Sequence, residues 1–447
     1  SSSLDATDAE SRARAAAVEL LNLELELVRP WVAAGNLVAV VRSPTHPDVS
    51  GALFHYHRTH LLVPLWSGSG AQYVPGQAAD KRVKFVVPGV PKTNRVYEIV
   101  PGGLPPVEHP ERIAGGVQVT LGEFSLCSMV LFAEDHKIVD EIRQRAREMG
   151  PHAARLYRQL AARKLHVVED VEQRVTSRGA GRWQMGEHVS SVRKYLQSCD
   201  GAIAAHDYKA ACLNADRAMR LLRIVERSNW LLAVRSLRSP VASPATVCFS
   251  TLPWHWSMVD ETRSWRMGTN LAAGGDFESI SAVMAAGWKH FQHTTPNLEA
   301  NGEIVARAAH SGQAGLRLII KPATPDEAPT LVETPPIWVT SPAVYVEAGT
   351  LVRIDSWVHI PTPLTGSVDG LKVFDSLTGD ALAERIGETT DWQPLTLYRT
   401  VPRSGPMSVT FALCGLGEVW IDDVSIQVIS PAGAPVVQHP MVPGHRF

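Results

Sequence analysis

Gly274-Gly275-Asp276-Phe277-Glu278 opens a β-rich stretch, and Glu418-Val419-Trp420-Ile421-Asp422-Asp423-Val424 closes it about 140 residues later. Between them lie the Gly287-Trp288 pair and short β-branched and aromatic runs with almost no helical period. In the closing segment Val419 and Ile421 alternate with Glu418 and Trp420, the period-two pattern of a strand with one buried face. The expectation is two stacked antiparallel layers over residues 265–430. Their first and last strands lie side by side, which brings Glu278 within reach of Asp422 and Asp423. Strand alternation leaves open which of the two aspartates faces inward, because a bulge between them reverses the phase.

Working outward, the chain falls into six stretches. Residues 1–30 read as a helix, with Asp5 or Thr7 as N-cap, an apolar half from Leu20 to Val28, and Pro30 as the stop. Leu23–Val28 also alternates with Glu24 and Glu26, so a strand competes there. Residues 31–133 read as a β-sandwich, with strands at Leu37–Val41, Ala52–Leu65, Arg82–Val87, Arg95–Ile99 and Gly116–Phe132. Turns such as Pro75-Gly76, Pro88-Gly89 and Pro101-Gly102-Gly103 separate them. Residues 134–235 switch to helical period and read as a hairpin or small bundle, broken at Gly179-Ala180-Gly181. Arg217, Arg220, Arg223 and Arg227 are expected on a solvated face, since Asp216 and Glu226 interleave with them. Residues 236–264, with Pro240, Pro244 and Pro253, read as a linker or a non-periodic segment packed on the next module. Residues 265–430 are the second β region, and 431–447 an extended tail. The fold class is therefore multidomain α+β, mainly β: an N-terminal helix and β-sandwich, a central helical hairpin or bundle, and a C-terminal sandwich.

Composition narrows the function classes. The 447 residues are 45% hydrophobic and 20% charged, with net charge −2. A near-neutral chain lacks the basic face that broad nucleic-acid or anionic-membrane binding needs. No apolar run reaches the length of a membrane span. The first residues offer no signal-peptide pattern. The cysteines Cys127, Cys199, Cys212, Cys248 and Cys414 are odd in number and widely spaced, which is no disulfide framework and no zinc pattern. Cys127 and Cys414 are expected as buried thiols.

No catalytic constellation emerges. GxSxG, GxxxxGK[ST], HExxH and strand–GxGxxG–helix patterns are missing from the sequence. Asp260-Glu261, Asp326-Glu327 and Asp422-Asp423 are adjacent pairs, so on a strand their side chains diverge, unlike the facing carboxylates of a glycosidase. His55, His57 and His60 form an HxHxxH cluster. On one strand His55 and His57 share a face and His60 takes the other, so a polar strand face is favoured over a metal site. His290 and His293 read as loop polars.

The order of several weak fragments carries a resemblance. Asn270-Leu271 precedes Gly-Gly-Asp-Phe-Glu. Gly287-Trp288, Gly315-Leu316-Arg317-Leu318, Tyr345-Val346, Gly349, Val352-Arg353-Ile354, Trp357-Val358, Trp392 and Ile421-Asp422-Asp423-Val424 come after it in that order. Residues 265–430 thereby resemble the jelly-roll carbohydrate-binding modules appended to bacterial glycoside hydrolases. The resemblance implies a structural calcium held by the opening glutamate and closing aspartate, here Glu278 and Asp423, with Asp276 beside them. A turn cap or an arginine partner is the alternative role for these carboxylates. It also implies a glycan ligand. Flat aromatic faces suit pyranose rings, and Trp338, Trp420, Tyr345 and Tyr398 are the candidates. Trp288, Trp357 and Trp392 are expected in the core.

A second resemblance is fainter. A leucine-rich helix ending at Pro30-Trp31, then a sandwich, is similar to the last helix and accessory sandwich at the C-terminal end of a glycoside-hydrolase barrel. Three readings result: a non-catalytic extracellular or cell-surface protein with a glycan-binding module; the accessory portion of a glycoside hydrolase whose barrel lies elsewhere; or a self-assembling structural subunit of a surface layer or filament.

Overall fold

The structure, a computed structural model, describes residues 8–66, 80–177, 188–235, 237, 239 and 241–431. The chain divides into two units, residues 1–232 with 248–250 and residues 233–247 with 251–447.

In the first unit the opening helix is Ala9–Leu27, and the Leu23–Val28 alternation forms no strand. Asp8 caps it, its Oδ1 accepting from the amides of Glu10 at 3.0 Å and Ser11 at 2.9 Å; Asp5 and Thr7 lie outside the described residues. Pro30 does not stop this helix. It sits in the first turn of a second one, Arg29–Ala34, where its missing N–H has no partner to lose.

The strands of this unit form two layers. One runs, in spatial order, Asn36–Arg42, Val49–Tyr56, Thr59–Trp66, Val130–Ala133, Arg95–Glu98; the other Asp80–Val87, Gly116–Phe124, Glu111–Ile113. Val83, Phe85, Val119 and Leu121 alternate inward to meet Leu53, Leu62 and Phe132. The opposite face of the five-stranded layer packs on Leu27, Trp31, Val139 and Ile142. The run expected as one strand over Ala52–Leu65 is a hairpin. It reverses at His57-Arg58, with His57 at φ 50°. His55 and His60 thereby become direct cross-strand partners with rings 4.9 Å apart, and His57 is left in the turn. This inverts the face assignment drawn from a single strand. Burial, then the neighbouring His55, lowers the His60 pKa. Gly116–Phe132 likewise splits into two strands. Pro75-Gly76 lies outside the described residues.

The helices are His136–Thr176, which continues through Pro151, then His188–Ala204 and Tyr208–Val234. The Gly179-Ala180-Gly181 break lies outside the described residues. The arginine face of the last helix is not solvated. Arg220 and Arg223 are buried, and Arg217 and Arg220 clamp Glu123 at 3.0 and 2.6 Å. Arg223 donates to Ser125 at 2.7 Å, and Lys164 meets the buried Glu226 at 2.6 Å. The interleaved acids seen in the sequence thus signal internal pairing across tertiary contacts. Cys414 is buried as expected, whereas Cys127 is exposed, being in the connection between strands and not within one.

Glu98 supplies a test of this unit. It is half-buried. That burial raises its pKa, and the Ser128 hydroxyl, donating at 2.7 Å, pulls the other way. The folded state therefore binds the proton more tightly than the unfolded chain. Its contribution is full below the ordinary carboxylate pKa and is lost as pH rises through the raised folded value. Between about pH 4 and pH 7, the parent should lose more thermal stability than Glu98→Gln; parallel melting curves would refute the assignment.

The second unit is organised by one strand, Val409–Pro431. Its first part pairs with Ile337–Thr340 and Thr365–Asp375, its later part with Gly315–Pro322 and Leu351–His359. It crosses from one layer to the other at Gly415 and Gly417, whose φ values of 129° and 134° few L side chains adopt. The first layer runs Leu298–Val305, Gly315–Pro322, the later part of the long strand, Leu351–His359, Gln393–Thr400. The second runs Lys289–Gln292, Ile337–Thr340, the first part, Thr365–Asp375, Glu384–Ile386. Leu318, Ile320, Val352, Ile354, Val419 and Ile421 face Ile337, Val339, Leu371, Val373, Phe411 and Leu413 across one core. This is the expected β-sandwich, and the fold as a whole mixes helix and sheet as anticipated.

The proposed neighbour relation of the acidic segments holds. Val424 N donates to Gly275 O at 2.8 Å, and a Cβ at Gly275 would lie 2.1 Å from Val424 O, so only glycine allows the approach. Among the described residues of 236–264, Pro244–Thr246 and Phe249–Thr251 form short turns and Leu252–Thr262 a helix, and Tyr398 N donates to Ala242 O at 2.6 Å.

Candidate functional site

The outer face of the first layer carries a row of five half-buried rings: Trp357, His310, Trp392, His359, Trp420. Successive centroids are 3.9, 5.3, 5.7 and 5.0 Å apart. Trp357 and His359 are two apart on one strand and so share a face. Val352, Ile354, Ser356 and Val358 take the core side of that strand. Trp420 lies opposite His359 in register. Trp392 comes from the turn before Gln393–Thr400, and His310 from the loop before Gly315–Pro322. Trp357 and Trp392, expected in the core, are therefore on the outer face; Trp288 alone of the three is buried, edge-on to Phe277 at 4.8 Å. The indole N–H of Trp420 is buried without an acceptor among the described residues. Beside Trp420 in register, Arg317 is held between Glu418 and Glu303, and Arg307 meets Glu418 at 3.7 Å, so two positive and two negative charges offset one another at that end.

Both acidic segments end at the loop that presents His310. Asp422 is fully buried, and its Oδ2 accepts from the amides of His310 at 2.8 Å and Ser311 at 3.1 Å. Burial pushes its carboxyl up, while these amides pull it down. Asp423 receives His310 Nδ1 at 2.6 Å on Oδ2 and the Ser311 hydroxyl at 2.7 Å on Oδ1. Glu278 receives Gln313 N at 2.9 Å on both oxygens. Two residues, Asp423 and Val424, oppose the single Ser356, and Asp423 sits at φ 52°. That bulge answers the question left by alternation, since it turns both aspartates toward one loop.

The carboxylates thus form a clasp whose oxygens already meet N–H and O–H donors. As arranged, a cation would face those donors, and no three His, Cys, Asp or Glu among the described residues are grouped to hold a metal. Asp276 is exposed.

Of the four aromatics proposed from sequence, only Trp420 joins the row. Trp338 is on the outer face of the other layer, stacked on Phe291 at 5.4 Å with His293 at 4.8 Å. His290 is on a strand there, not in a loop. Tyr345 belongs to the two-stranded ribbon Val344–Val346/Gly405–Met407. Tyr398 shares the first layer's outer face, but Leu237, Ala242, Met258 and Val259 line the cavity around it, at its far end. The signal for the row was present in part: Trp357 and His359 are spaced as one strand face.

No family model and no curated protein matches the chain. Several solved structures are similar to part of it. A xylan-binding CBM22-1 domain of Paenibacillus barcinonensis matches at 14% identity, covering 37% of this chain and 99% of that one, TM-score 0.25. The family 11 carbohydrate-binding module of Clostridium thermocellum matches at 11% identity over 37% of this chain and 96% of that one, TM-score 0.21. A CBM6 module of Cellvibrio mixtus lichenase 5A, in complex with cellotriose, matches at 11% over 32% and 97%, TM-score 0.19. All three are carbohydrate-binding modules.

Proposed function

We propose that the C-terminal module binds a glycan across the ring row on its outer face. The supporting observation is the row itself: three tryptophans and two histidines, half-exposed, on two strands, a turn and a clasped loop. Aromatic faces accept the apolar faces of pyranose rings while flanking polar groups orient hydroxyls, the combination ligand sites use for affinity and specificity. The protein acts as a non-catalytic binder at the cell surface or outside the cell. Appendage to a glycoside hydrolase and assembly into a surface layer are the competing settings. The mass of the native polypeptide and imaging of native material for ordered polymers distinguish them. The direct test is retardation of the full chain in gels containing soluble xylan or mixed-linkage β-glucan; migration unaffected by a panel of neutral polysaccharides would refute the reading.

Calcium at the clasp is a separate proposal, resting on the resemblance. It requires Glu278 to exchange the Gln313 amide, and Asp423 Oδ1 the Ser311 hydroxyl, for an ion, with Asp276 joining them while Asp423 Oδ2 keeps His310. An ion bound only to the native state raises its melting temperature. Chelation with EDTA is then expected to lower Tm; superimposable curves would leave the hydrogen bonds as the whole of the join.

A further inference from the structure

In the ring row, tryptophan and imidazole alternate, and each imidazole is tied by one nitrogen only. His310 Nδ1 meets Asp423 Oδ2 at 2.6 Å, and His359 Nδ1 meets Thr389 Oγ1 at 3.3 Å. Among the described residues neither Nε2 has a protein partner, and neither is sealed from solvent. Both rings flank Trp392, at 5.3 and 5.7 Å. The site therefore holds one tryptophan between two anchored imidazoles whose second nitrogens are open.

We propose that His310 and His359 are the specificity-determining polar contacts of the site, their Nε2 atoms hydrogen-bonding hydroxyls of a sugar stacked on Trp392. The inference rests on the glycan-binding reading above and adds which groups read the hydroxyls. A carboxylate accepts only, so Asp423 fixes the proton of neutral His310 on Nδ1. Nε2 is then an acceptor in a set direction, and it selects a hydroxyl able to donate there. Thr389 can donate or accept, so His359 Nε2 takes either role. His310 is also held from three sides: its amide on Asp422, its Nδ1 on Asp423, and its ring flat on Trp357 at 15°. That fixes its orientation before any ligand arrives, so little ordering cost falls on binding. The acidic clasp thereby acquires a role beyond joining strand ends: it aims one reader of the sugar.

Amide side chains separate aiming from contact. Asn at position 310 reaches the place of Nδ1 and can keep the Asp423 bond, but has nothing at Nε2. Gln extends toward Nε2. In calorimetric titrations of the full chain with xylohexaose, cellohexaose and a mixed-linkage β-glucan tetrasaccharide, His310→Asn should retain the parent Tm and weaken binding about tenfold, the scale of one lost hydrogen bond. His310→Gln should recover part of the loss, and His359→Asn should weaken binding similarly. The imidazole Nε2 nitrogen-15 resonances of the parent should shift on adding sugar. Trp392→Ala is the control for the underlying reading. If Trp392→Ala weakens binding about 30-fold while both asparagine variants bind like the parent, the histidine assignment is wrong and the ring row stands. If His310→Asn lowers Tm and affinity together without rescue by Gln, the residue is structural and the assignment fails. If the parent retains none of the sugars, the ring-row reading fails first and takes this one with it.

Discussion

Arg399→Met should destabilise the second unit by about 3–5 kcal/mol, the range for breaking a buried ion pair from one side. Arg399 and Asp375 are both fully buried, with Nε on Oδ2 at 2.6 Å. The guanidinium also donates to the carbonyls of Val241 at 3.0 Å, Tyr398 at 2.9 Å and Leu382 at 3.1 Å. Asp375 in turn accepts from the amides of Leu377 and Thr378 and from the Thr378 hydroxyl. One cation thus joins a strand of each layer to residues 241–242, and removing it strands a carboxylate and several carbonyls without water. Methionine keeps the volume, so the loss reports the charge and its donors. Urea unfolding of the full chain measures it. Adding Asp375→Leu to the same chain should return much of the loss, because no charge is then left unpaired. A single-variant loss under about 1 kcal/mol would mean the pair is solvated and the arrangement wrong.

Trp392→Ala should weaken glycan binding about 30-fold, equivalent to roughly 2 kcal/mol, the scale of a central tryptophan hot spot. Trp392 is the middle ring of the row and touches an imidazole on each side. Trp338→Ala, on the opposite layer, should change affinity less than about twofold. Affinity electrophoresis of the two variants in the same polysaccharide decides between the faces. A large effect at Trp338 with none at Trp392 would move the site to the other layer.

Much of the fold was legible because strand periodicity is local. The acidic segments were readable as neighbours. Errors came where local pattern met a long-range choice. Ala52–Leu65 contains no glycine or Asn-Gly turn signal, yet the chain reverses at His57-Arg58 because tight pairing of the two halves buries Leu53 and Leu62. The arginines of Tyr208–Val234 looked solvated because their partners, Glu123 and Ser125, are distant in sequence. Tryptophan identity suggested core for Trp357, whereas its parity on the strand placed it outside.

The sequence by itself determined the long helices, most of the strand segments and the acidic ends of the last module, since each depends on neighbours within a few residues. Tertiary structure alone decided the ring row. Its members lie on a loop, a turn and two strands spread from residue 310 to residue 420, and what aligns them is cross-strand register together with a bulge at Asp423 that aims two carboxylates at one loop. Register is fixed by burying one face of each strand against a distant partner, and no short window of sequence carries that information.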